Sequence, residues 1–143
     1  MNVFKLSIIL FCSMLANTML IAAEFETPEQ AINSYITAVS TGSGMHIESA
    51  YTDDATIKFY DQQGRFREYS KSSFAKAVDN GQDWDAKINI TSLRIIQNAA
   101  SATVEFTWGE NKEHGYVDYL NLIKVDGHWK ISGKVAHYIS REN

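Results

Sequence analysis

His137 is the polar residue of this chain that is best placed for chemistry. It lies in the run "WKISGKVAHYI" (129–139), in step with Trp129, Ile131, Val135 and Ile139. Strand alternation would then aim an imidazole at a face where its neighbours are apolar. Such a histidine can act as a general acid or base, or hold the polar group of a ligand; it can also be a core histidine with one satisfied hydrogen bond. Its partner depends on the hairpin at Asp126-Gly127. With a two-residue turn, Leu122 pairs with Ile131 and Asp118 with Val135, which makes Asp118 a diagonal neighbour of His137. With a bulge at Gly127, Trp129 shares a face with Ile123, Asn121 and Tyr119 instead. A bulge at Gly133 would turn His137 itself to the other face. The catalytic candidates are therefore His137 and Asp118, with Asn121 as the alternative partner.

Other chemistries find less support. "MHIES" carries His46 and Glu48 in the H-x-E spacing of zinc deaminases, but their P-C-x-x-C partner is missing and spacing supplies no third ligand. Glu110, Glu113 and His114 share one polar loop and read as a solvated turn. There is no G-x-S-x-G and no phosphate-cradling glycine loop. No metal and no cofactor is expected. The net charge is −4 and Lys and Arg form no cluster, which argues against a nucleic-acid partner.

The first 23 residues differ in kind. Lys5 is followed by an apolar run from Leu6 and by the small residues Ala22 and Ala23. This is the layout of a signal peptide cleaved after Ala23, and it predicts a secreted or periplasmic protein with its domain in residues 24–143. An uncleaved anchor is the alternative. However, Ser7, Ser13, Asn17 and Thr18 dilute the run, and no span is expected in the mature chain. The single cysteine, Cys12, falls in this segment, so the mature chain has neither a disulfide nor a thiol nucleophile.

Hydrophobic residues make up 45% of the 143 and aromatics 12%, enough for one packed domain. In "TPEQAINSYITAVSTGSG", Thr27 caps a helix, Pro28 opens it, Gln30 completes a capping box and Gly42 ends it. Ile32, Tyr35, Ile36 and Val39 form its buried stripe. A shorter helix holds Ile47, Ala50 and Tyr51. "DDATIKFYD" is a strand with Ala55, Ile57 and Phe59 in alternation. Ser70 caps another helix carrying Phe74, Ala77 and Val78, which stops at Gly81. Trp84 follows in a helix-to-strand loop, as a pocket lid or a core edge.

From "KINITSLRII" onward the period is 2, with a phase slip that suggests a bulge near Thr91 or Ser92. "SATVEFTW" points Ala102, Val104, Phe106 and Trp108 inward. The predicted order is α-α-β-α-β-β-β-β, an α+β fold with helices covering one curved sheet. Strand 116–125 has apolar residues on both faces, which predicts that the outer face is covered too, by two-fold pairing.

The segments "TPEQAINSYITAVSTGS", "YTDDATIKF" and "DYLNLIKVDGHWKISGKV" together resemble the nuclear transport factor 2-like superfamily, and most closely its lumazine-binding branch. The resemblance implies a cone: a strongly bent mixed or antiparallel sheet wrapped around N-terminal helices, with an apolar pocket inside and a homodimer through the sheet. Ketosteroid isomerase is a member with well-defined chemistry. Its oxyanion tyrosine matches Tyr35, its general base falls on Phe59 and its protonated aspartic acid on Asn121. Phenylalanine cannot take a proton, so that activity is not expected. Fold alone does not supply function in so varied a group. The expected function is an exported pocket protein binding a small apolar or aromatic molecule without turning it over, through Tyr35, Phe59, Trp84, Trp108, Asn121 and His137. The alternatives are an isomerase, cyclase or dehydratase using His137 with Asp118 or Asn121, and a protein-interaction module.

Overall fold

The computed structural model describes residues 23–81 and 84–141; the expected signal peptide, apart from Ala23, lies outside the described residues. Helix α1 (Pro28–Thr41) begins as its sequence requires. The Thr27 hydroxyl accepts from the Gln30 N–H, and the Gln30 side chain accepts from the Thr27 N–H. The helix ends at Gly42 in the left-handed region, φ 67°, where a side chain would be strained. Helix α2 (Gly44–Ala50) packs so close to α3 (Lys71–Asp79) that a Cβ on Gly44 would lie 2.4 Å from the Ala75 carbonyl oxygen. The Gly44 N–H donates to Asp79 at 2.6 Å across the same contact.

Six strands form one sheet: β1 (Tyr51–Tyr60), β2 (Phe66–Ser70), β3 (Lys87–Ile96), β4 (Ala99–Trp108), β5 (His114–Val125) and β6 (His128–Ser140). Their order is β2-β1-β6-β5-β4-β3, with β1 parallel to β6 and every other pair antiparallel. The sheet is mixed and open, and the three helices cover its concave face around a core that includes Ile32, Tyr35, Ile57, Val104, Phe106, Leu120 and Ile131. The fold is the expected α+β cone.

Strand β2 is one correction to the predicted order. Its five residues alternate poorly and only Tyr69 is partly covered, so it carries no period-2 signal of its own. Pairing with β1 makes it a strand, after a turn in which Asp61 accepts the Gln63 and Arg65 backbone N–H groups.

Two bulges bend the sheet. In β3 the pairing slips between Ile90 and Ser92, at the predicted place. The second bulge, in β6, has the larger consequence. Asp126 (φ 49°) and Gly127 (φ 85°) both take positive φ, the two-residue turn in which Val125 pairs with His128 and Leu122 with Ile131. The next pair is Asn121 with Gly133, so Ser132 is the extra residue. From there the phase of β6 inverts. Lys134, Ala136 and Tyr138 turn to the helix side, and Val135 and His137 to the outer face.

Candidate active site

Three elements bring one polar residue each to the floor of the cone. Tyr35 comes from the buried stripe of α1, Asp118 from β5 and Lys134 from β6. Asp118 pairs with Ala136 and Leu120 with Lys134, so Asp118 and Lys134 are diagonal neighbours on the concave face. The Tyr35 hydroxyl donates a hydrogen bond to Asp118 Oδ2. Lys134 Nζ donates to Tyr35 Oη at 2.9 Å and to Asp118 Oδ2 at 3.2 Å. Only 1% of Asp118 and 7% of Lys134 is exposed.

The lysine head is enclosed by aromatic faces: Nζ stands 4.9 Å from the Phe74 ring centre, 5.1 Å from Tyr35 and 5.4 Å from Phe59. Ring quadrupoles and the Asp118 carboxylate therefore hold the ammonium out of water together. Two donors converge on Oδ2, while the buried Oδ1 has no partner among the described residues. Burial, then the charge of Asp118, holds the Tyr35 hydroxyl well above the ordinary phenol range, and Tyr51 beside it is raised for the same reasons. Both phenols are neutral at physiological pH, and Tyr35 is the one that donates to Asp118.

Above this floor opens a cavity of about 270 Å³. Phe59, Phe106 and Tyr116 of the sheet form one wall; Phe74, Ala77 and Val78 of α3 form the opposite one. Burial, followed by the charges of Asp61 and Asp118, pushes the Tyr116 hydroxyl up to about 12. Trp84 stands at the rim, stacked on Tyr116 with ring centres 5.8 Å apart. The result is a largely apolar, aromatic pouch lined also by a carboxylate, a cation and a phenol. Such a site can bind an apolar body while offering an acceptor and a donor to its polar edge.

Of the residues singled out from sequence, Tyr35, Phe59, Trp84 and Asp118 line this cavity. Trp108 stands behind the rim, its ring centre 5.2 Å from that of Trp84. His137 and Asn121 are exposed, on the outer face of the sheet. His137 lies beside Tyr60, ring centres 5.3 Å apart, and does not face Asp118; the bulge at Ser132 is the reason. The carboxyl that meets Tyr35 is thus Asp118, not a side chain at position 121. His46 is engaged by Ser34 and Glu48 by Lys71. Among the described residues no three His, Cys, Asp or Glu side chains come together.

Lys134 on the cavity floor and Tyr116 in its wall are site residues that sequence reasoning missed, and Lys134 is the charged one. Counting by twos from Trp129 and Ile131 placed it outside. The available signal was Gly133, a glycine inside a strand, which often marks a bulge.

The model of the family described as "Putative lumazine-binding" matches residues 23–137. Among solved structures, the chain is similar to an NTF2-like protein of unknown function from Shewanella baltica, with a TM-score of 0.67, 22% identity, and coverage of 78% of this chain and 90% of that one. A second NTF2-like protein of unknown function, from Methylobacillus flagellatus, gives 0.65 at 28% identity over 79% and 90%. A ketosteroid isomerase-like protein from Erwinia carotovora atroseptica gives 0.62 at 16% over 78% and 93%. The chain is also 24% identical over 123 residues to the aldolase FrzH of a Cladobotryum species, 84% of this chain and 95% of that one. The chain belongs to the putative lumazine-binding family, a branch of the nuclear transport factor 2-like superfamily.

Proposed function

We propose that this protein binds a small, neutral, largely apolar or aromatic molecule in the cavity, with the polar edge of that molecule read by Asp118 and Lys134. The observation that carries this reading is Asp118 Oδ1: a buried carboxylate oxygen without a donor among the described residues, on a side chain that lines an aromatic pouch. A buried acceptor left unmade costs about 1–3 kcal/mol, so a ligand hydroxyl or N–H that reaches it gains that much over an apolar ligand of the same shape. The charges of Asp118 and Lys134 balance, which disfavours an ionised ligand at the floor. Native mass spectrometry of protein from its host tests the reading. A retained small molecule, lost from Asp118→Asn, is expected; wild-type protein that retains nothing, and binds none of a panel of small aromatic alcohols and ketones, would refute it.

A reading as an enzyme is favoured by one observation, the convergence of a carboxylate, an ammonium and a phenol in a single pocket. The likeness to an aldolase makes carbonyl compounds the first substrates to try. Export of the chain, with cleavage after Ala23, is part of the proposal and rests on the layout of the first 23 residues. So is a homodimer through the outer sheet face. Tyr119 is 58% and Val135 59% exposed there, paired side by side, with Tyr60 and Ile123 exposed on neighbouring positions. A cluster of bare apolar side chains on a sheet face is the usual mark of a contact surface.

A further inference from the structure

We infer that Lys134 forms a reversible imine with an aldehyde or unhindered ketone bound in the cavity, so that the ligand class of this site is carbonyl compounds held covalently. The inference rests on the pocket reading above. Among the described residues Lys134 is the one fully buried lysine; Lys58, Lys71, Lys124 and Lys130 are partly covered, and none of these four lines the pouch. Lys71 bridges Glu48 and Asp53, and Lys130 caps the Ser49 carbonyl oxygen at 2.5 Å, both in a charged depression away from the aromatic pouch. Lys134 lines the pouch, its nitrogen set among the rings of Tyr35, Phe59 and Phe74 that line it too.

The chemistry balances within the residues present. The ammonium gives one proton to Asp118 through Oδ2, to which it already donates at 3.2 Å. The freed amine pair attacks the carbonyl carbon as the C=O π pair moves to oxygen. Protons from the nitrogen and from the Asp118 carboxyl convert that oxygen into water, which leaves as the C=N bond forms. In sum, an ammonium and a carbonyl compound become an iminium and one water, with no change in charge and no oxidant or reductant. The product cation stands where the ammonium stood. The same carboxylate at 3.2 Å and the same three rings that hold the ammonium hold it too. The step therefore exchanges one stabilised cation for another instead of creating a bare charge. Tyr35, donating to Oδ2, keeps the carboxylate in place and is a positioning residue.

The test is reductive trapping on the full chain. Protein is incubated with benzaldehyde near equimolar concentration and sodium cyanoborohydride, then mapped by peptide mass. A benzyl adduct is expected on Lys134 at ten or more times the occupancy of the exposed Lys76 and Lys87. Benzyl alcohol, which fills the pocket but has no carbonyl, should compete it away, and Lys134→Arg should lack the adduct while its surface labelling is unchanged. Occupancy at Lys134 no higher than at the exposed lysines of folded wild type overturns the inference. If benzyl alcohol still perturbs the fluorescence of Trp84 at the rim, the imine alone falls and the binding reading stands. If benzyl alcohol does not bind either, both fall.

Discussion

Lys134→Met isolates the electrostatics of the cavity floor. Methionine has nearly the length and shape of the lysine stem, so contacts with Phe59, Phe74 and Tyr35 are largely kept while the charge is removed. Asp118, 1% exposed, is then left with the Tyr35 hydroxyl as its one donor. Breaking a buried pair by deleting one partner costs about 3–5 kcal/mol, because the remaining charge is desolvated without compensation. For a domain of this size each kcal/mol moves Tm by roughly 4 °C, so a fall of about 12–20 °C is expected. Urea unfolding should show a lower midpoint with an unchanged slope. The variant combining Lys134→Met with Asp118→Leu and Tyr35→Phe removes every polar group of the cluster. It should recover most of the loss or exceed wild type, since apolar replacement of a whole buried ion pair is often neutral or stabilising. A single Lys134→Met variant that loses less than about 1 kcal/mol would refute the reasoning: the carboxylate would not be an uncompensated buried charge. A combined variant as unstable as the single one would mean that packing, not charge, decides the cost.

Tyr35 and Tyr51 are raised well above the ordinary phenol value of 10.0, chiefly by burial. The unfolded chain loses these protons first, so stability is intact below about pH 10 and falls above it by up to ~1.4 kcal/mol per pH unit for each phenol. Tyr35→Phe should reduce that slope by one proton, and stability that stays flat between pH 9 and 11 would contradict it. His137→Phe changes an exposed residue on the outer face, so stability should move by no more than about 0.5 kcal/mol and ligand retention should not change. A His137→Phe variant that loses a ligand kept by wild type would show that the site extends beyond the cavity. Light scattering at micromolar concentration should give a dimer mass for wild type and a monomer mass for Val135→Lys with its ligand binding intact; a wild-type monomer would count against pairing through the sheet. Amino-terminal sequencing of protein from the native host should begin near Glu24, and soluble cytoplasmic protein starting at Met1 would exclude export.

Much of the frame was legible from the chain because its causes are local. The Thr27–Gln30 capping box and Pro28 set the start of α1 within four residues, and Gly42 stops it through one backbone angle. Asp126-Gly127 supplies the two positive φ values that its turn needs, and alternation in β4 identifies Ala102, Val104 and Phe106 as inward without reference to any other strand. Tyr35 and Phe59 could be assigned to the interior on the same grounds. The membership of the cavity floor could not. Lys134 is 99 residues from Tyr35 and 16 from Asp118, and its charge makes a buried position improbable until both partners are in place. What put it there was the extra residue Ser132, which inverts the phase of everything after it and sends His137 outward in exchange. Strand β2 and the parallel contact of β1 with β6 are likewise settled by pairing across the sheet, not by any pattern within the strands. A period of two records only which residues share a face. Which face turns to the helices is decided by register, and register here was reset by a single inserted residue.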